Sequence, residues 1–345
     1  MEGEIKNLFK VWLSVLASLC YSYFLASKIS SGKLRLISLV PIFFLFTILP
    51  LHLSYAFPIG LITLSFSWLC NFKLLLFAFD KGPLPNQQFL HFLIIACLPI
   101  KENRKTPQIY RSSSPKLPLN WPGKVLIFAV LVSAHDYEQF VHPKIVLLVY
   151  CCMVYLLIDV IFGLVIGVVR AASGLELEPP SDEPYLSTSL QDFWGRRWNL
   201  AVTDLLRHTV YKPVRSFFDV LGPDWAQFLA VVAAFVVSGL MHELLFYYVK
   251  RASPSWEMTW FFVLHGVCVA AEMGVKRAVS GRVQLHPAVS TPLTVGFVVA
   301  TAMWLFFPPL LRTGAVEKAL EECKVVLEFS KSLSEVIKGR VFKTN

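Results

Sequence analysis

Ser238-Gly239-Leu240-Met241-His242-Glu243 sets two ionisable side chains inside an apolar run, and the reading of the fold starts there. From Trp225 to Met241 no side chain is charged, and after Glu243 the chain returns to Leu244-Leu245-Phe246-Tyr247-Tyr248-Val249 before Lys250. A helix of that length crosses a bilayer, and polar groups at such depth are costly and are kept for function. The whole chain has the same character. Hydrophobic residues make up 55% and charged residues 16%, against about 25% charge in an ordinary soluble domain. The net charge of +9 sits in short loops between apolar runs, as loops flanking membrane spans require, and does not point to nucleic acid.

The rest of the chain reads as an all-α polytopic membrane protein with about eight spans and a single membrane-embedded domain, 1–345. Val11 to Ser27 is a first span that also targets the chain. Leu36 to Phe72 holds two spans, with Pro50-Leu51-His52 as the turn, and Gln87 to Leu98 is too short for a full span. A basic loop, 101–124, is expected to face the cytosol. Val125 to Ala134 and Ile145 to Val169 follow, the second carrying Asp159, whose first reading is a carboxylate paired with a neighbouring helix. A polar loop, 170–224, contains Ser189-Leu190-Gln191-Asp192-Phe193-Trp194-Gly195-Arg196-Arg197-Trp198-Asn199. Taken alone, that cluster reads equally as an interfacial helix. Trp256 to Val275 places His265 and Glu272 on one helical face, with a structural hydrogen bond between helices as their first role and cavity lining as the second. Ala288 to Leu311 completes the spans, and 312–345 reads as an amphipathic tail. The seven cysteines form no C-x-x-C and read as small buried hydrophobes.

An imidazole inside an apolar helix is favoured in its neutral, basic form, which makes His242 a general base for a hydroxyl or thiol. Glu243, one residue on, projects about 100° away and is expected to pair with a basic residue of another helix. Spacing removes several other chemistries. Position 246 is Phe, so the second histidine of an H-E-x-x-H zinc site is missing. No G-x-S-x-G elbow and no Gly-rich phosphate loop occur, and no histidine has an aspartate four or five residues later. Two classes survive: an intramembrane enzyme acting on lipids, or a transporter with Asp159, His242, Glu243, His265 and Glu272 as a proton relay.

Ser189 to Asn199, followed by Val237 to Glu243, resembles the plant wax synthase family of the membrane-bound O-acyltransferases. Phe193-Trp194-Gly195-Arg196-Arg197-Trp198-Asn199 is also similar to the F-Y-x-D-W-W-N box of sterol and diacylglycerol acyltransferases, with Arg196 and Arg197 where that box has Asp and Trp. The likeness is to the acyl-CoA:sterol branch, and it implies a helical bundle enclosing an intramembrane reaction chamber. It further implies transfer of a long-chain acyl group from acyl-CoA to an apolar alcohol, a sterol first and a long-chain fatty alcohol as the alternative. His242 and Asn199 would be the catalytic pair, with Arg196, Arg197, Trp194 and Trp198 at acyl-CoA and Glu243, His265 and Glu272 in support. Acyl-CoA is then a co-substrate, and no bound cofactor or metal is needed because a thioester is already activated. The expected setting is the endoplasmic reticulum membrane, among membrane lipids, and a homo-oligomer is compatible with it.

Overall fold

The computed structural model describes residues 2–102, 120–279 and 285–312, together with Gly314 and Glu321. Most of the basic loop (103–119) and of the tail therefore lies outside the described residues. Among the described residues, seven helices are long and apolar enough to cross a membrane: α1 (Gly3–Lys28), α2 (Lys33–His52), α3 (Pro58–Ala78), α6 (Pro143–Ser173), α9 (Pro223–Lys250), α10 (Glu257–Ala278) and α11 (Pro287–Leu311). Between them lie the shorter α4 (Phe89–Cys97), α5 (Trp121–Ala134), α7 (Leu200–Leu206) and α8 (Lys212–Phe217). Seven agrees with the expected number of about eight to within one, and the run Val125 to Ala134 falls in α5, whose 14 residues make about 21 Å of helix, short of a hydrocarbon core of about 30 Å. The nine residues of α4 are shorter still.

Helix boundaries follow from local chemistry. His142 and His286 each precede a proline and accept a hydrogen bond from the backbone N–H two residues on, which starts α6 and α11. The turn expected at Pro50-Leu51-His52 closes α2 as a short 3₁₀ segment. Lys73, buried in α3, donates to the carbonyls of Ile95 and Leu98, both at 2.6 Å, and so ties off α4. Arg35 holds the α1–α2 and α3 ends together through Ile29 O, Phe77 O and Asp80, and its guanidinium keeps the exposed Asp80 carboxyl below the ordinary carboxylate range.

Lipid tails are as apolar as leucine, so helices here associate by close packing rather than by escape from water. A close approach is that of α9 against α10. A Cβ on Gly239 would lie 2.8 Å from the Thr259 Cα, and one on Gly266 would lie 2.7 Å from the Phe235 Cβ. Gly239 of the opening stretch is thus needed where the two backbones nearly touch. Exposed Phe9, Phe44, Leu164, Trp260 and Trp304 give the bundle an apolar exterior.

Candidate active site

A cavity of about 1300 Å³ opens between α3, α6, α9, α10 and α11, and the segment 184–219 closes it on one side. It exceeds the roughly 300–1,000 Å³ of ordinary ligand pockets. Four π-helical stretches, Thr63–Cys70, Phe193–Arg197, Arg207–Tyr211 and Ala302–Phe306, each contribute lining residues. Such widened turns concentrate at functional sites, because they redirect side chains that a regular helix would keep in register.

His242 enters this cavity from α9. Its Nδ1 lies 2.7 Å from the Ser238 carbonyl oxygen. A carbonyl only accepts, so Nδ1 carries the proton and Nε2 is the free, basic nitrogen. The ring is enclosed by Phe262 at 4.4 Å, Trp68 at 5.6 Å and Phe306 at 5.9 Å between centroids. Trp194 stands 5.8 Å from Phe262, and Trp198 6.3 Å from Trp194, so an aromatic wall runs from His242 toward Asn199.

The Trp/Arg/Asn segment folds for identifiable local reasons. The Ser189 hydroxyl accepts from Asp192 N at 3.1 Å and starts the turn. Phe193 and Trp198 stack at 5.6 Å and 12°. Asn199 adopts a left-handed conformation (φ 40, ψ 70), which asparagine tolerates, and its Oδ1 accepts from Val202 N at 3.3 Å to cap α7. Asn199 lines the cavity, and no described bond uses its Nδ2. Far from being a free interfacial helix, the segment is docked on α10. Glu272 accepts from Leu190 N at 2.8 Å, Lys276 reaches Ser189 Oγ at 3.0 Å, and Trp194 Nε1 donates to His265 Nδ1 at 3.0 Å.

The expected residues therefore separate. His242, Asn199, Trp194, Trp198 and Arg196 line the cavity. Arg197 does not; it is bound to Asp192 at 2.8 Å and to the carbonyl oxygens of Asp182 and Glu183. Among the described residues, Glu243 meets no basic side chain in a hydrogen bond. Its Oε1 accepts from Thr259 N at 3.3 Å in the first turn of α10, where unpaired amides and the helix dipole favour a carboxylate. His265 is fully buried, and its Nε2 donates at 2.8 Å to Thr301 Oγ1, whose own proton goes to the α11 backbone. Asp159 is paired with Lys124 of α5 at 2.8 Å, and Glu183 joins the same lysine at 3.1 Å. A relay needs groups able to exchange protons. Four of its five candidates are held in separate structural bonds.

Several lining residues were not anticipated. Arg207, Tyr211 and Arg215, joined by Lys212, line the cavity from one stretch; their spacing of four residues on one helical face was the available signal. Trp68, Tyr155 and Tyr185 also line it, and no sequence pattern marks them. Tyr185 lies outside the spans, where burial, then Glu183, pushes its phenol well up and keeps it protonated.

The sequence profile described as the Membrane bound O-acyl transferase family matches residues 177–264, which include both the Trp/Arg/Asn segment and the His242 stretch. Over 337 residues, 96% of this chain and 98% of the relative, the sequence is 45% identical to a protein of Arabidopsis thaliana named "Probable long-chain-alcohol O-fatty-acyltransferase 1". The chain belongs to the membrane-bound O-acyltransferase family. Two further relatives of this acyltransferase are the long-chain-alcohol O-fatty-acyltransferase of Simmondsia chinensis, 43% identical over 96% of this chain and 97% of the relative, and the acyl-CoA–sterol O-acyltransferase 1 of Arabidopsis thaliana, 41% identical over 96% and 99%. A membrane-bound O-acyltransferase is a multi-pass membrane enzyme, and the transporter reading is set aside.

Proposed function

We propose that this acyltransferase moves a long-chain acyl group from acyl-CoA to the hydroxyl of a long-chain fatty alcohol, forming a wax ester. His242 Nε2 removes the proton of the alcohol as its oxygen attacks the thioester carbonyl. The new C–O bond forms, the C–S bond breaks, and the departing CoA sulfur takes the proton from the imidazolium. Asn199 Nδ2 orients the CoA arm, and Arg196 with Arg207, Lys212 and Arg215 engages its phosphates. The observation that carries the reading is the locked His242: Nδ1 is bound to Ser238 O while Nε2 is left free beside a large apolar cavity. Residence in the endoplasmic reticulum belongs to the same proposal.

The acceptor follows the relatives. Long-chain-alcohol names stand at 45% and 43% identity and the sterol name at 41%, which moves the fatty alcohol ahead of the sterol that the motif resemblance put first. The test is expression in cells lacking their own neutral-lipid acyltransferases, with labelled acyl-CoA and a panel of alcohols and sterols. Wax ester without steryl ester is expected. Steryl ester alone would transfer the proposal to the sterol, and no ester at all would sink both.

A further inference from the structure

Gly60 lies in an ordinary helical stretch of α3, where no positive φ calls for glycine and where glycine weakens the helix. Close packing does not call for it either. A Cβ on Gly239 or Gly266 would strike the neighbouring helix, whereas one on Gly60 would meet nothing within 4 Å. Ala56, Gly60 and Leu64 recur every four residues and all line the cavity, so they share one face and Gly60 turns bare backbone toward it. That face belongs to an apolar end of the cavity. Arg251, just past α9, donates to the carbonyl oxygens of Pro50 at 3.0 Å and Leu53 at 3.2 Å, which sets the last turn of α9 beside the start of α3. From α9, Leu245, Phe246 and Val249 line the same end, and Val249 stands about 10 Å past His242 along the helix. None of these six side chains is polar. The basic stretch lies on the other side of His242: Tyr211 packs in the cluster around Val231, about 16 Å back along α9.

We propose that this apolar end holds the acyl chain of acyl-CoA, and that Gly60 sets the longest chain it accepts. The inference rests on the acyl-transfer reading above and names which of the two substrates occupies this end. CoA phosphates at Arg207, Lys212 and Arg215 and a thioester at His242 fix the direction of the substrate. Its hydrocarbon leaves His242 on the side away from those charges, along Leu245, Phe246 and Val249. The alcohol brings its hydroxyl to His242 and keeps its own chain outside this end. Beside Gly60 the hydrocarbon takes the space that a side chain would fill. A larger residue there shortens the cavity, and every methylene it keeps out loses the favourable burial of its surface.

The experiment compares Gly60→Ala and Gly60→Leu with the parent enzyme, purified in detergent. Each is assayed with acyl-CoAs of increasing length on one alcohol, and with alcohols of increasing length on one acyl-CoA. Both replacements favour helix over glycine, so the variants are expected to unfold at the parent temperature or above. Gly60→Leu is expected to lower kcat/KM at least about tenfold for the longest acyl-CoA the parent uses well, and to hold it within about threefold for chains about four carbons shorter. The alcohol-length profile is expected to stay as in the parent. Gly60→Ala is expected to move the acyl profile in the same direction by less. An acyl profile unmoved in Gly60→Leu would overturn the inference, as would a loss equal at every acyl length. A shift of the alcohol profile in its place would overturn it too and give this end to the acceptor. If Gly60→Leu yields no folded enzyme, an acyl profile of Gly60→Ala identical to the parent's is the overturning result. A parent that makes no ester from any acceptor would sink the acyl-transfer reading itself, and this inference with it.

Discussion

His242 Nδ1 is held 2.7 Å from the carbonyl oxygen of Ser238, one helical turn earlier on the same helix. That bond ties the tautomer to the helix itself, and no second side chain has to orient the base. His242→Ala should abolish ester formation, a loss of at least about 10²–10⁴-fold for a general base, with the thermal midpoint unchanged. His242→Gln should be as inactive, because an amide cannot take the proton. Rates are read on purified protein with labelled acyl-CoA; normal turnover in either variant would remove His242 from the chemistry.

The adjacent arginines should give opposite phenotypes. Arg196 is exposed, lines the cavity and carries no described bond, so Arg196→Ala should raise KM for acyl-CoA several-fold without changing stability. Arg197→Ala strands the Asp192 carboxylate, whose side chain is 17% exposed. It should cost up to about 3 kcal/mol, below the full figure for a buried pair, and lower the amount of folded enzyme more than its KM. Unfolding temperature and a KM series in parallel separate the two effects.

How far the sequence could be read is shown by these neighbours. Position in an apolar run was enough to single out His242, and the order of the two motifs was enough to suggest the bundle. Nothing in Arg196-Arg197 says which side chain turns outward, because the five-residue π turn breaks the ordinary helical register. Glu243 escaped for a related reason. A chain pattern shows which face a carboxylate occupies and not which helix terminus another segment brings to it.

Glu243 caps the first turn of α10 through Thr259 N, so its removal should act on stability and leave substrate affinity alone. Glu243→Ala should cost about 0.5–2 kcal/mol, the range for losing an N-terminal cap. Glu243→Gln retains an acceptor oxygen and loses only the interaction of charge with the helix dipole, about 0.3–1 kcal/mol. A milder fall in unfolding temperature for Gln than for Ala, at unchanged KM for acyl-CoA, is the expected pattern.

Trp194, His265 and Thr301 form one hydrogen-bonded line across three parts of the chain. Trp194→Phe leaves the His265 Nδ1 unsatisfied, and Thr301→Val does the same to Nε2, each at about 1–3 kcal/mol. In a His265→Leu background either change should cost much less. The coupling, read as a double-mutant cycle on unfolding free energy, should reach about 0.5–3 kcal/mol. Additive effects would show that the line is coincidental and that the motif segment is held by Glu272 and Lys276 alone.

Lys124 offers the sharpest separation of structure from chemistry. Its ammonium sits between Asp159 and Glu183, with the Lys124 and Asp159 side chains only 7% and 8% exposed. Lys124→Met leaves two buried carboxylates without their cation, which should cost about 3–5 kcal/mol. Replacing Asp159 by Leu as well should recover part of that, because a buried pair exchanged for apolar side chains of similar size is often close to neutral. Enzyme that folds with both changes should still form ester, since none of the contacts enclosing His242 involves either residue. If Asp159 were part of a proton path, the double variant would fold and be inactive. Ester formed per folded molecule, with folding followed by size-exclusion and thermal unfolding, distinguishes the two outcomes.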